Sequence, residues 1–163
     1  MKLRHLFFAC SGVFVMMFSL LLLVVIVFSD EEDGGSGGNL IYGGVSVSQE
    51  VLAHKPMLEK YAREYGIEEY LNVLLAIIQV ESGGTLEDVM QSSESLGLPP
   101  NSLSTEESIK QGCKYFSELL AAAETKGCDL NSVIQSYNYG GGFLDYVAGR
   151  GKKYTFELAE SFA

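Results

Sequence analysis

Most of the chain repeats apolar residues at the three- and four-residue spacing of amphipathic helices. The most apolar of these segments predicts a helix over residues 68–80. Leu74 and Ile78 lie on one face of this helix, and Val73 and Ile77 extend the apolar surface around it. A helix that is apolar almost all round is normally buried. We therefore predict that 68–80 is the central helix of a folded domain.

Helix caps and breakers predict the remaining helices. Ser48 is suited to cap a short helix, and Pro56 fits the first turn of a second helix, which Gly66 ends. Ser104 and Glu107 have the spacing of a capping box at the start of a long helix. The predicted ranges are 48–54, 56–65, 104–125, 130–139, 143–148 and 155–162. Because no segment shows a convincing alternation of apolar and polar residues, we predict an all-α domain.

An uncharged apolar segment precedes this domain and covers residues 6–28. About 20 apolar residues suffice for a helix to cross a bilayer. Lys2 and Arg4 precede the segment, so the positive-inside rule places residues 1–5 in the cytoplasm. We predict a transmembrane signal anchor with the folded domain on the outer side of the cell membrane. A cleaved signal peptide is the alternative, although its apolar region is usually only about 7 to 15 residues long.

Residues 29–44 separate the predicted anchor from the domain at 45–163. This segment is rich in glycine and contains a run of acidic residues. Such a composition buries little apolar surface, and each glycine loses much conformational entropy when it is ordered. We predict a flexible linker that holds the domain away from the membrane.

The composition limits the number of domains and the classes of partner. A chain of 163 residues and 17.8 kDa allows one compact domain beside the anchor. Its formal net charge of −10 makes it a poor binder of nucleic acid, because that affinity comes from basic side chains that neutralise phosphates. The three cysteines are too few and too irregularly spaced for a disulfide framework or a paired-cysteine metal site. We expect no nucleic-acid partner, no metal and no cofactor.

Glu81 is the first candidate for chemistry, because it is a single acid at the end of the apolar helix. Burial raises the pKa of a carboxyl group, and a carboxylic acid that stays protonated near neutral pH can donate a proton to a glycosidic oxygen. Glu81 is therefore a candidate general acid. The alternative is an exposed acid in the last helical turn, before a cap formed by Gly83 and Gly84.

A polar segment follows this glycine turn and can fold back to face the same cleft as Glu81. Its polar residues are Asp88, Gln91, Ser92, Ser93 and Glu94. Amide, hydroxyl and carboxylate groups are the hydrogen-bonding partners that sugar rings require. The alternative is a solvated loop in which Val89 and Met90 pack into the core.

The third candidate is the segment Tyr137, Asn138 and Tyr139, which is followed by three glycines. Aromatic rings beside an amide, with glycines that let the backbone approach a ligand, can form a stacking and hydrogen-bonding surface for a saccharide. The alternative is ordinary packing of tyrosines at a helix end.

Three short motifs, in this order, resemble a known family. The motifs are E-S-G at 81–83, M-Q at 90–91 and Y-N-x-G at 137–140. Together they are the signature of the lysozyme-like superfamily, which includes goose-type lysozymes and lytic transglycosylases. More narrowly, the segments ESGG, DVMQSSESLGLPPN, SIKQGCKYF and QSYNYGGGFLDYV resemble the N-terminal muramidase domain of CwlT-like cell-wall hydrolases, which are carried by conjugative transposons of Gram-positive bacteria.

The resemblance implies an all-helical, lysozyme-like fold and a muramidase that cleaves the β-1,4 bond between N-acetylmuramic acid and N-acetylglucosamine in peptidoglycan. It implies that Glu81 is the catalytic glutamate and that Asp88 lies close to it, where we interpret Asp88 as the base that activates water. Glu94 is the competing base, and Asp88 could instead orient the loop. The residues expected along the glycan cleft are Gln91, Ser92, Ser93, Glu94, Tyr137, Asn138 and Tyr139.

The same resemblance suggests a cellular role at the wall. The partners would be peptidoglycan strands and a conjugation apparatus, for which the enzyme would open the wall. Two other activities remain open, namely a lytic transglycosylase, which uses a hydroxyl of the substrate in place of water, and a non-catalytic glycan-binding scaffold. Such relatives usually continue into a papain-like peptidase domain. We expect no peptidase activity here, because Cys113, Cys128 and His54 do not form a catalytic pair.

Overall fold

The computed structural model describes residues 40–42 and 45–163. The predicted cytoplasmic tail 1–5, the predicted transmembrane segment 6–28 and most of the predicted linker lie outside the described residues. Within the part of the chain that the structure describes, no helix is both long enough and apolar enough to cross a membrane.

Seven α-helices and two short strands form the described part of the chain. The strands are β1 (Leu40–Tyr42) and β2 (Val45–Val47). The helices are α1 (Gln49–Ala53), α2 (Lys55–Glu64), α3 (Leu71–Glu81), α4 (Thr105–Lys126), α5 (Leu130–Tyr139), α6 (Gly142–Ala148) and α7 (Phe156–Phe162). Short 3₁₀ helices lie at Glu68–Tyr70, before α3, and at Ser92–Leu96, between α3 and α4. The mainly helical fold predicted from the sequence is confirmed.

Helix α3 is the central buried helix, as its composition predicts. Its six consecutive residues 73–78 are all buried, because α2, β2 and the first 3₁₀ helix pack around it. Helix α4 contributes Cys113 and Phe116 to the same core, and both side chains are fully buried. Cys113 is therefore a core residue, as predicted, and it forms no disulfide with Cys128.

The two strands were not predicted. They pair antiparallel, with Leu40 opposite Val47 and Tyr42 opposite Val45. A strand of three residues is too short to show a recognisable alternation of apolar and polar positions. Strand β1 lies within the predicted linker 29–44, and it pairs with β2, which packs against α3. The ribbon therefore leads the chain into the core at Val47, which is fully buried.

Candidate active site

Glu81 is the last residue of α3 and is half-buried. Residues 73–78 of the same helix are in the core, so little water reaches the carboxyl group to solvate its charged form. Burial first, and then the negative charges of Glu94 and Asp88, raise the pKa of Glu81 to about 7. A carboxyl group that is protonated near neutral pH can serve as a general acid.

The segment after Glu81 folds back against the end of α3, as the sequence suggested. The Ser82 hydroxyl donates a hydrogen bond to the Val89 carbonyl at 2.7 Å and accepts one from the Gly84 N–H at 3.0 Å. Ser82 therefore joins the helix end to the glycine turn and to the polar segment beyond it. This connection brings residues seven positions apart into direct contact.

Asp88 is completely buried and holds the polar segment together. Its Oδ1 atom accepts hydrogen bonds from the Ser92 N–H at 3.0 Å and from the Ser108 hydroxyl at 2.6 Å. Its Oδ2 atom accepts a bond from the Ser93 N–H at 3.3 Å. The carboxylate thus caps the 3₁₀ helix at Ser92–Leu96 and presents no surface to an attacking water. This geometry favours the alternative in which Asp88 orients the loop.

Glu94 lies on that 3₁₀ helix and is exposed to solvent. Its negative charge has a larger effect on the pKa of Glu81 than the charge of Asp88 has. Glu94 is therefore one of the two negative charges that make ionisation of Glu81 unfavourable. Of the two acidic neighbours of Glu81, Glu94 is exposed to water, whereas Asp88 is buried.

The other predicted residues of the polar segment also support the loop. Gln91 has a left-handed backbone with φ of 45°, and its amide donates to the Asp88 carbonyl and to Asn101 Oδ1, both at 2.8 Å. Ser92 is buried, and its hydroxyl donates to the Ser108 carbonyl at 2.9 Å. Ser93 is buried as well, and in the described part of the chain its hydroxyl has no hydrogen-bond partner.

Tyr137 lies behind Glu81 in the core, where burial and then the charge of Glu81 raise the pKa of its hydroxyl. The hydroxyl donates a hydrogen bond to the Met90 carbonyl at 3.1 Å. A Cβ atom at Gly112 of α4 would lie 2.8 Å from the Tyr137 oxygen and 2.5 Å from the Met90 sulfur. The absence of a side chain at Gly112 lets α4 pack closely against Met90 and Tyr137. Tyr137 therefore supports the loop from within the core, through its hydrogen bond to Met90.

Tyr139 belongs to a separate aromatic cluster at the C-terminal end of the chain. Its ring stacks on Phe162 at 5.7 Å and contacts the edge of Phe143 at 5.4 Å. Asn138 lies between the two tyrosines in α5 and is half-buried. Of the Y-N-Y segment, Tyr137 and Tyr139 thus pack within the protein, which is the alternative stated for this motif.

Sequence reasoning missed Ser108, which binds Asp88 from twenty residues farther along the chain. No spacing rule connects the two residues, because only the packing of α4 beside the loop brings them together. Gly112 did carry a signal, since a glycine inside a helical pattern often marks a close approach.

A separate groove of about 510 Å³ lies near the other end of α3, roughly 15 Å along the helix from Glu81. Tyr65, Tyr70 and Leu120 are among the residues that line it, and no residue predicted for the site does. Among the described residues, no group of three or more His, Cys, Asp or Glu side chains could hold a metal ion.

The family model described as Lysozyme-like matches residues 48–163 of the chain. This chain belongs to the lysozyme-like family. The match covers every helix described above and all three motifs, so the family resemblance inferred from those motifs is confirmed. It also shows that the helical core around α3 is a lysozyme-like fold.

Several lysozyme-like relatives are similar over most of this chain. The bifunctional muramidase/DL-endopeptidase CwlT of Bacillus subtilis is 44% identical over 123 residues, which are 75% of this chain and 36% of CwlT. The uncharacterized membrane protein YocA of the same organism is 39% identical over 72% of this chain and 52% of YocA. The pneumococcal vaccine antigen A homolog of Streptococcus pyogenes is 40% identical over 71% of this chain and 58% of that protein.

The fold is also similar to that of a solved structure. It is the crystal structure of a protein from Staphylococcus aureus described as similar to lipoprotein, NLP/P60 family. The two chains share 76% sequence identity and superpose with a TM-score of 0.72 over 72% of this chain and 40% of the other. This chain therefore spans between about a third and three fifths of the length of the relatives it matches.

We expect Asp88→Asn to destabilise the domain by about 2 kcal/mol, because the amide has one acceptor oxygen, whereas the two carboxylate oxygens accept hydrogen bonds from three donors. Urea unfolding measures the change. Glu87→Gln is the matched control, since Glu87 is the exposed acid next to Asp88 and should change stability by less than about 0.5 kcal/mol. Equal stability of both variants and the native chain would show that the Asp88 hydrogen bonds do not hold the loop.

Proposed function

We propose that residues 45–163 form a peptidoglycan hydrolase, and more specifically a muramidase that cleaves the β-1,4 bond between N-acetylmuramic acid and N-acetylglucosamine. The observation that carries the proposal is the half-buried position of Glu81 at the end of the central helix, where burial and then the charges of Glu94 and Asp88 raise its pKa to about 7. The muramidase activity in the printed name of CwlT supports the same class of reaction.

In this proposal Glu81 acts as the general acid. At neutral pH a large fraction of the molecules carries a proton on Glu81, because its pKa is about 7. Transfer of this proton to the glycosidic oxygen makes the departing sugar a neutral alcohol. The bond then breaks through a transition state in which positive charge develops on the other sugar ring. A water molecule then bonds to the anomeric carbon of that ring and gives up a proton. Glu94, the exposed carboxylate whose charge acts on Glu81, can stabilise the developing positive charge or accept this proton.

We propose that Asp88 is a positioning residue in this reaction. The carboxylate of Asp88 is completely buried and is occupied by three hydrogen bonds. A general base must lie within hydrogen-bond reach of the water whose proton it removes. Asp88 can instead hold Glu94 in place, because its carboxylate caps the 3₁₀ helix Ser92–Leu96 in which Glu94 lies.

A lytic transglycosylase is the second candidate, and the burial of Asp88 favours it. That reaction needs the same acid but uses a hydroxyl of the substrate in place of water, so no second carboxylate has to activate a water molecule. The buried Asp88 would then stabilise the loop alone, and Glu94 would have no essential chemical role.

We also propose a cellular setting for the enzyme. Residues 6–28 would anchor it in the cell membrane, with the domain outside and facing the wall, since this uncharged segment is long enough to span a bilayer. The description of the relative YocA as a membrane protein supports this location. The resemblance to hydrolases of conjugative transposons points to local opening of the wall for a conjugation apparatus.

We expect Glu81→Gln to lower the turnover of purified peptidoglycan by at least about a hundredfold, because glutamine cannot donate the proton. Release of soluble fragments measures turnover, and Glu87→Gln is the control. Glu81→Gln should also be more stable to unfolding than the native chain above pH 7, because the raised pKa makes ionisation of Glu81 in the folded state unfavourable. This gain should vanish below pH 4.5, where the carboxyl is protonated in both states. Near-normal turnover by Glu81→Gln would contradict the proposed acid.

The products distinguish the two candidate reactions. We expect mass spectrometry of digested peptidoglycan to show reducing N-acetylmuramic ends, which result from hydrolysis. Anhydro-muramic ends would instead identify a transglycosylase. In that case Glu94→Gln should retain most of the activity, whereas hydrolysis through Glu94 predicts a large loss.

Cell fractionation tests the anchor. We expect the full-length chain in the membrane fraction, with its domain open to protease added outside the cells. Recovery of a soluble form that begins near Asp30 would show a cleaved signal peptide, and the enzyme would then be diffusible.

A further inference from the structure

The turn that follows Glu81 is pressed against the first helix of the domain. Gly84 has a φ of 78°, in the left-handed region. A Cβ atom at Gly84 would lie 2.7 Å from the carbonyl carbon of Glu50 and from the amide nitrogen of Val51, both in α1. These neighbours are backbone atoms, which cannot turn aside as a flexible side chain can. The turn and the backbone of α1 are therefore in direct contact.

Two side chains hydrogen-bond to the carbonyl groups of the same turn. The Nε2 atom of His54 lies 2.9 Å from the Gly84 oxygen, and since a carbonyl only accepts, Nε2 must carry the proton. The Ser48 hydroxyl donates to the Gly83 oxygen at 3.3 Å. The backbone N–H of Ser48 also donates to Gln79 Oε1 at 2.7 Å, on the last turn of α3.

The residues at the two ends of α1 thus hold the turn. Ser48 is the N-cap of α1 and His54 is its C-cap. A helix of five residues has little stability of its own, and α1 owes its position to Val51, which is completely buried in the core. The buried Val51 side chain fixes α1 to the core, and Ser48 and His54 at the ends of α1 then fix the glycine turn.

We propose that Ser48, His54 and Gly84 form a positioning clamp that holds the carboxyl group of Glu81 in its half-buried place. The clamp joins the glycine turn to α1, and the hydrogen bond from Ser82 to Val89 joins the end of α3 to the polar segment. Without the clamp the turn can move away from α1, and water then reaches the end of α3. The inference rests on the proposed role of Glu81 as the general acid, although the clamp itself touches no substrate.

Gly84→Ala tests the clamp, with Gly66→Ala as the matched control. Both glycines have a positive φ, of 78° and 67°, so alanine strains the backbone similarly at each position. A Cβ at Gly66 meets no atom within 4 Å, whereas a Cβ at Gly84 collides with α1. We expect Gly84→Ala to lower kcat at least about tenfold with KM within about twofold, and Gly66→Ala to change neither.

A readout that does not depend on activity is the pKa of Glu81, followed by NMR titration of its carboxyl carbon in the full chain. In the native chain we expect a value of about 7. In Gly84→Ala it should fall toward the ordinary 4.5 as water enters, and in Gly66→Ala it should not move. A Gly84→Ala variant that keeps both the pKa and kcat of the Gly66→Ala control would overturn the clamp.

His54 provides a second test that leaves the backbone unstrained. His54→Leu removes the donor, whereas His54→Gln keeps an N–H that can reach the Gly84 carbonyl. We expect His54→Leu to lower the pKa of Glu81 and kcat together, and His54→Gln to restore both. Unchanged values in His54→Leu would overturn the role of His54. If Glu81→Gln proved fully active, the proposed function would fail, but the pKa comparison would still decide whether the clamp exists.

Discussion

The site depends on keeping one carboxyl group partly out of water at the end of an apolar helix. Burial of α3 stabilises the domain, but at Glu81 it makes ionisation unfavourable and raises the pKa to about 7. A shift of this size corresponds to roughly 3 kcal/mol between the charged and neutral forms. Above pH 7 this difference lowers the free energy of unfolding, because Glu81 must then ionise in a half-buried place. Near neutral pH the same burial keeps Glu81 partly protonated, as the proposed proton donor must be.

The acids near Glu81 differ because their surroundings differ. Asp88 lies deeper than Glu81, yet three donors surround its carboxylate, so its charge is satisfied within the protein. Glu81 has a buried helix behind it and two negative neighbours, and its neutral form is favoured. Glu94 is exposed, and water solvates it. Three carboxyl groups close in sequence therefore differ in their surroundings: one is buried and hydrogen-bonded, one is half-buried with a raised pKa, and one is exposed to solvent.

Close backbone approaches give the site its shape. Gly112 lets α4 pack against Met90 and Tyr137, and Gly84 lets the turn after Glu81 pack against α1. A Cβ atom at Gly84 would collide with the backbone of α1, and one at Gly112 would collide with the side chains of Met90 and Tyr137. The glycine turn is thus packed against α1, and the loop at 88–96 is packed against α4. Such support is what a preorganised catalytic group requires.

The sequence by itself determined the helical class, the central position of α3, the core role of Cys113 and the place of Glu81 at the end of α3, because apolar periodicity and the end of a helix are local properties. The three motifs also determined the family. Only the tertiary structure decided the contacts of Asp88, since its partner Ser108 lies on α4, twenty residues farther along the chain. The same holds for Tyr137, which packs inward, and for His54, which reaches a turn thirty residues away. Whether a polar side chain faces solvent or the core depends on which elements pack against it, and spacing along the chain does not contain that information.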